Sequence, residues 1–100
     1  MTTLDLSKSG RFVTLDVADQ HNASVQVELL DSANTGYDSG TVKVFASIDG
    51  SAYLEELWEF TADGLARLDV RAYLSIRAEV GTAALGRAIV TISMTATQTG

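Results

Sequence analysis

Leu74-Ser-Ile-Arg-Ala-Glu-Val80 decides the reading of the whole chain: Leu74, Ile76, Ala78 and Val80 alternate with Ser75, Arg77 and Glu79. A period of two sets successive side chains on opposite sides of a pleated strand, so this stretch predicts a strand with one dry and one wet face. The same stripe recurs in Val25, Val27 and Leu29, in Val42, Val44, Ala46 and Ile48, and in Ala88, Val90, Ile92, Met94 and Ala96. Strands that are dry on one side only belong to antiparallel sheets packed against a second layer.

Working outward, Gly10, Gly36, Gly40, Gly50, Gly64, Gly81, Gly86 and Gly100 fall where the alternation breaks. They divide the chain into short runs, the spacing of many antiparallel strands rather than of helices. Eight strands are predicted, over residues 2–7, 11–17, 23–30, 41–49, 54–61, 65–70, 74–80 and 87–97. The fold class is therefore all-β: a single antiparallel two-sheet β-sandwich, jelly-roll or immunoglobulin-like, with residues 1–10 either its first strand or a docking arm. One hundred residues suffice for one such core. The segment Ser51–Thr61 is the least regular, because Tyr53, Leu54, Leu57 and Trp58 also fit a helical stripe. Its aromatic content and its brackets, Asp49-Gly50 and Asp63-Gly64, favour a strand. The chain has no proline, so its sheet edges must be protected by charge, by bulges or by a neighbouring subunit.

Composition removes several functional classes. There is no cysteine, which excludes disulfide scaffolds, thiolate metal sites and cysteine nucleophiles. A net charge of −6 repels phosphate backbones and anionic lipid, so neither nucleic acid nor membrane is expected as a partner. The opening residues Met-Thr-Thr-Leu-Asp-Leu-Ser7 lack a basic leader and a long apolar run, so a non-secreted protein made in the cytoplasm is expected.

Catalytic constellations are equally hard to assemble. His21 is the single histidine and sits in Asp19-Gln-His-Asn22, read as a polar, solvated connector. Glu55, Glu56 and Glu59 crowd one segment, yet neighbours on a strand face opposite ways, so a solvated acidic face is expected rather than a carboxylate pair. Neither enzymatic activity nor a cofactor is expected. In Asp31-Ser-Ala-Asn-Thr-Gly-Tyr-Asp38, the residues Asp31, Asn34 and Asp38 offer oxygen ligands to calcium without the alternation and closing glutamate of an EF-hand. Ordinary turn chemistry accounts for them equally. Gly36-Tyr-Asp-Ser-Gly40 lacks the flanking strand and helix, and the lysine, of a phosphate-binding loop.

Four bulky residues oppose the inward stripes: Phe12 opposes Val13, Leu15 and Val17; Phe45 opposes Val42–Ile48; Leu57 opposes Leu54, Trp58 and Phe60; and Ile89 opposes Val90. Together Phe12, Phe45, Leu57 and Ile89 form a candidate subunit interface, since large apolar groups outside a core mark contact surfaces. Charge is also segregated. Residues 1–63 hold eleven acids and three bases (−8), whereas 64–100 hold two acids and four bases (+2), which suits contacts between copies of one chain.

Val44-Phe-Ala-Ser-Ile-Asp-Gly-Ser-Ala-Tyr53, then Trp58, Thr61-Ala-Asp-Gly64 and Leu68-Asp-Val-Arg-Ala-Tyr-Leu-Ser-Ile-Arg-Ala-Glu-Val80 carry a family likeness. The pattern is a strand ending in Ser-x-Asp-Gly, an aromatic, a glycine turn, a Tyr-x-x-Ile-Arg strand and a Thr/Ser-rich last strand. Over residues 41–97 it resembles small β-sandwich structural proteins of tailed bacteriophages, including capsid decoration (cement) proteins and related head or fibre modules. One departure is that Tyr53 stands where such modules commonly carry tryptophan, with Trp58 further on. The resemblance implies a virion protein that stabilises the head shell by bridging capsomers, as a homo-oligomer, a trimer or similar cluster, seated on the major capsid protein. Similar patterns occur in carbohydrate-binding sandwiches. A fibre module that binds carbohydrate or a receptor is the alternative, with Tyr37, Tyr53 and Trp58 as its stacking residues.

Overall fold

The computed structural model describes residues 2–30, 40–84 and 86–96. Among them are eight strands: β1 (Thr2–Asp5), β2 (Phe12–Asp16), β3 (Gln20–Leu30), β4 (Val42–Ser47), β5 (Glu55–Phe60), β6 (Gly64–Asp69), β7 (Ser75–Val80) and β8 (Arg87–Ala96). They form two four-stranded antiparallel sheets, one in the order β1-β8-β3-β6 (sheet A) and the other β2-β7-β4-β5 (sheet B). The chain is thus the expected all-β sandwich. Its pairings nest: β1 with β8, β2 with β7, β3 with β6 and β4 with β5. A chain folded as one long hairpin and then wrapped into two layers gives this order, which is the jelly roll and not the immunoglobulin topology.

The core lies between the sheets and is built from the stripes read in the sequence. Val25, Val27 and Leu29 of β3, Val42, Val44 and Ala46 of β4, Ile76, Ala78 and Val80 of β7, and Ala88 and Val90 of β8 are all buried. β-branched residues dominate because they pack well on a pleated surface. Each fully buried Val, Leu or Ile contributes about 1.5–3 kcal/mol relative to an exposed one. β1 pairs with β8 from Thr2↔Val90 to Asp5↔Arg87, and Leu4 and Leu6 are buried.

The strand ends differ from the periodic reading for identifiable reasons. Ile48 and Leu74 extend their stripes in the sequence but lie one residue outside β4 and β7 and are exposed. The Val17 amide still donates to the Leu74 carbonyl, one step beyond the β2–β7 pairs, but the Leu74 amide donates to the Ser47 carbonyl out of step with Ser47↔Ser75, so the regular ladder ends there. His21 belongs to β3, not to a connector. Asp19 adopts a positive φ of 64°, a left-handed conformation that aspartate tolerates, and this sharp turn lets β3 resume at Gln20. His21 is half-buried, and its carbonyl accepts from the Val70 amide.

A bulge alters β5. Val44 pairs with Trp58 but Phe45 pairs with Glu56, leaving Leu57 as the extra residue. Leu57, expected to face away from the core, packs against it. Strict alternation fails here because an inserted residue breaks the period.

Candidate functional site

The outer face of sheet B gathers residues that the sequence left scattered. Phe12, Thr14 and Asp16 of β2 face Glu79, Arg77 and Ser75 of β7. On the other side of β7, Lys43, Phe45 and Ser47 of β4 face the same three residues in the same order. Arg77 therefore stands at the middle of the sheet, with Phe45 directly opposite and Phe12 one diagonal step away.

The connection from β4 to β5 supplies a second ring. The Ser47 hydroxyl donates to Asp49 Oδ1 (2.9 Å) and accepts from the Gly50 amide (2.9 Å). The same carboxylate oxygen accepts from the amides of Ser51 (2.8 Å) and Ala52 (3.0 Å). These donors hold the Asp49 carboxyl down at about 2, well below the usual carboxylate range, the Ala52 and Ser51 amides being the largest causes. Gly50, at φ 80°, occupies the left-handed conformation that the turn requires. The Ser-x-Asp-Gly motif is thus a turn lock, and its consequence is to return Tyr53 over the outer face.

There the Tyr53 hydroxyl lies 2.6 Å from Ser75 Oγ, which in turn donates to the Leu15 carbonyl (3.2 Å). Ser75 spends its one proton on Leu15, so Tyr53 is the donor of the shorter bond. The Arg77 guanidinium carbon lies 3.8 Å from the centre of the Phe12 ring and 4.2 Å from that of Tyr53. The planar cation is held against two π faces. Its Nε is buried without a hydrogen-bond partner, and one terminal nitrogen is 3.6 Å from Glu79 Oε1. Phe12 remains 48% exposed, so the cluster reaches the surface and does not extend the core. Charges surround it: Lys43 pairs with Glu56 at 3.4 Å, and Asp16, Glu59 and Glu79 add carboxylates on the same face.

The remaining sequence candidates disperse. Ile89 is half-buried on β8 of the other sheet, opposite Thr3 and Glu28. Leu57 is turned in by the bulge. Trp58, half-exposed on the β5 edge, tilts against Phe60 with ring centres 6.5 Å apart. Tyr37 and the ligand set Asp31, Asn34 and Asp38 lie outside the described residues. Among the described residues no three His, Cys, Asp or Glu side chains are grouped to hold a metal ion. Glu55 accepts from the Tyr73 hydroxyl (2.6 Å), which raises the pKa of that phenol, while Glu56 turns to Lys43. The member missed in the sequence is Arg77. Its sole signal was a cation between Ile76 and Ala78 in a strand, and the two rings that enclose it come from residues 65 and 24 positions earlier.

A shallow hollow lies beside the cluster, lined by Thr14, Asp16, Ala18, Gly50, Tyr53, Leu74 and Ser75. Hydroxyl, carboxylate and ring thus meet at one end of the sheet, an arrangement that can hydrogen-bond and stack but that holds no paired nucleophile and base.

No protein-family model matches the chain, and no curated protein matches it in sequence. Solved structures similar to it include the K1 cleaved adhesin domain of Lys-gingipain from Porphyromonas gingivalis W83, at a TM-score of 0.67 and 14% identity over 87% of this chain. The match spans 63% of the adhesin domain's length. The SPBc2 prophage-derived protein YomS is similar at a TM-score of 0.57 and 11% identity, over 92% of both chains. At such identities the likeness is one of fold: this chain is a β-sandwich built like a prophage protein and like an adhesin domain.

Proposed function

We propose that the protein is a non-catalytic structural module of a phage particle, a capsid decoration (cement) protein that bridges capsomers, and that the outer face of sheet B is its seat on the major capsid protein. The observation that carries this reading is the Phe12–Arg77–Tyr53 stack with Phe45 alongside. Aromatic residues and arginine at the centre with a charged rim are the make-up of protein-binding surfaces, and such residues supply most of the binding energy. The rim carries Asp16, Glu56, Glu59 and Glu79 against Lys43, so it favours a shell surface offering basic groups. The phage side of the proposal is supported by the sequence resemblance and by the fold similarity to YomS. The module works without cofactor, membrane or nucleic acid, and copies associate with one another on the virion.

The test is to purify particles of the phage or prophage that encodes the chain and ask by mass spectrometry whether it is present. Phe12→Ser combined with Arg77→Glu is expected to abolish its incorporation while leaving its circular dichroism unchanged. Particles whose composition and heat stability are the same without the protein would refute the role.

A second reading, a carbohydrate- or receptor-binding fibre module, is favoured by the hollow beside Tyr53, where the ring adjoins Thr14, Asp16 and Ser75. It also draws on the similarity to an adhesin domain. A glycan array distinguishes it: binding that is lost on Tyr53→Ala would replace the cement reading.

A further inference from the structure

We propose that β6 is a pairing edge for a second copy of this chain, joined antiparallel across a two-fold axis at Leu68 so that sheet A runs from one protomer into the next. The inference does not depend on what the outer face of sheet B binds. Among the described residues the two sheets leave four edge strands, β1 and β6 in sheet A and β2 and β5 in sheet B. β1 and β2 have only four and five residues. β5 carries a bulge together with Glu55, Glu56 and Glu59, devices that blunt an edge. β6 has six residues in unbroken register with β3 and one charge of each sign, Arg67 and Asp69.

The backbone of β6 is directed for pairing. The Val70 amide donates to the His21 carbonyl (3.1 Å), a pair in line with the β3–β6 register. In an antiparallel ladder the bonded positions alternate, so Leu68 and Ala66 bond to β3 whereas Leu65, Arg67 and Asp69 direct N–H and C=O to the open side. Continuing a sheet with its core face preserved requires the two-fold axis to pass through a residue, since a shift of one would turn the faces over. An axis at Arg67 sets that arginine against itself, and one at Ala66 sets it against Leu65. The axis at Leu68 pairs residues 66–70 of the two copies and sets Arg67 opposite Asp69 of the second copy, twice, on the carboxylate that Arg71 of the same chain already holds through Nε (3.0 and 3.1 Å). The flank beside this segment is apolar and open: Leu65 is 65% exposed and Trp58, which shares a hollow with it, 49%.

Sedimentation equilibrium of the full chain over a wide concentration range tests this. The wild type is expected to approach about 21 kDa, twice 10.6 kDa. Arg67→Pro removes a donor that the β3 ladder does not use, so it should give a folded monomer. Arg67→Asp should weaken dimerisation at least about tenfold, and Arg67→Asp with Asp69→Arg should restore it. Phe12→Ser, on the other sheet, should leave it intact, which separates this contact from the capsid-facing one. If Arg67→Pro fails to fold, the charge swap decides. A wild type that stays monomeric, a limiting mass of three chains, or association indifferent to both Arg67→Pro and the charge swap would overturn the proposal.

Discussion

Arg77 and Phe12 are in direct cation–π contact across the β2–β7 pair, the guanidinium carbon 3.8 Å from the ring centre, on a sheet face directed away from the core. A cation placed so contributes about 0.5–2 kcal/mol, depending on how far it is desolvated. With Tyr53 on the guanidinium as well, the stack fixes the orientation of a side chain that in isolation would sample many rotamers. A contact surface organised before its partner arrives loses less entropy on binding.

Arg77→Met is accordingly expected to lower the free energy of unfolding by about 1–2 kcal/mol, measured by urea denaturation. A double-mutant cycle with Phe12→Leu should return a coupling energy of about 0.5–1 kcal/mol. A coupling of zero would mean that the stack adds nothing to the fold.

Acid should loosen two turns, the Asp49 turn behind this face and the Asp69–Arg71 turn between β6 and β7. The Asp49 carboxyl is depressed to about 2 by the Ala52 and Ser51 amides, and that of Asp69 to about 2 by the side chain and amide of Arg71. A folded-state pKa below the unfolded value contributes stability that is fully present above the unfolded pKa, near 3.8, and is lost as pH falls through the folded one. Thermal midpoints should therefore decline from about pH 4 to about pH 2. In the Asp49→Asn, Asp69→Asn double variant the decline should be shallower and the midpoint at neutral pH lower.

Gly81 marks a close approach of backbone to side chain. A Cβ there would lie 2.7 Å from Thr41 Oγ1, which is held in place by the Thr82 amide at 2.8 Å. Gly81→Ala is expected to cost about 1–3 kcal/mol, the scale of overpacking, with the loss seen in chemical denaturation. Thr41→Ser should recover little of it, because the hydroxyl and not the methyl is in the way.

Ile76, the second residue of β7, is 1% exposed. Ile76→Ala should destabilise by about 2–5 kcal/mol through lost burial and the cavity left behind. A value near zero would show that the core does not lie where the two sheets place it.

The contrast between Ile76 and Arg77 shows what was legible in the sequence. Ile76 belongs to a stripe whose period is local, so its burial follows from its immediate neighbours. β3, β4, β7 and β8, the inner strands of both sheets, were legible for that reason. Arg77 was not, because its partners Phe12 and Tyr53 reach it through sheet topology and a turn, and neither is encoded within one strand. Leu57 was misread at a bulge, and bulges arise from pairing with another strand. Leu74 and Ile48 were misread at strand ends, where periodicity continues but the ladder stops. Phe12 and Phe45 were picked out by parity alone. What parity could not supply was that both adjoin one arginine, while Ile89 lies on the opposite sheet.

Cryo-electron microscopy of purified particles, with the protein present and with its gene deleted, tests the account most directly. It predicts density for the sandwich on the outside of the head shell, with the Phe12–Arg77 face toward the shell, and its disappearance in the deletion. Density confined to the tail, or none in either sample, would contradict it.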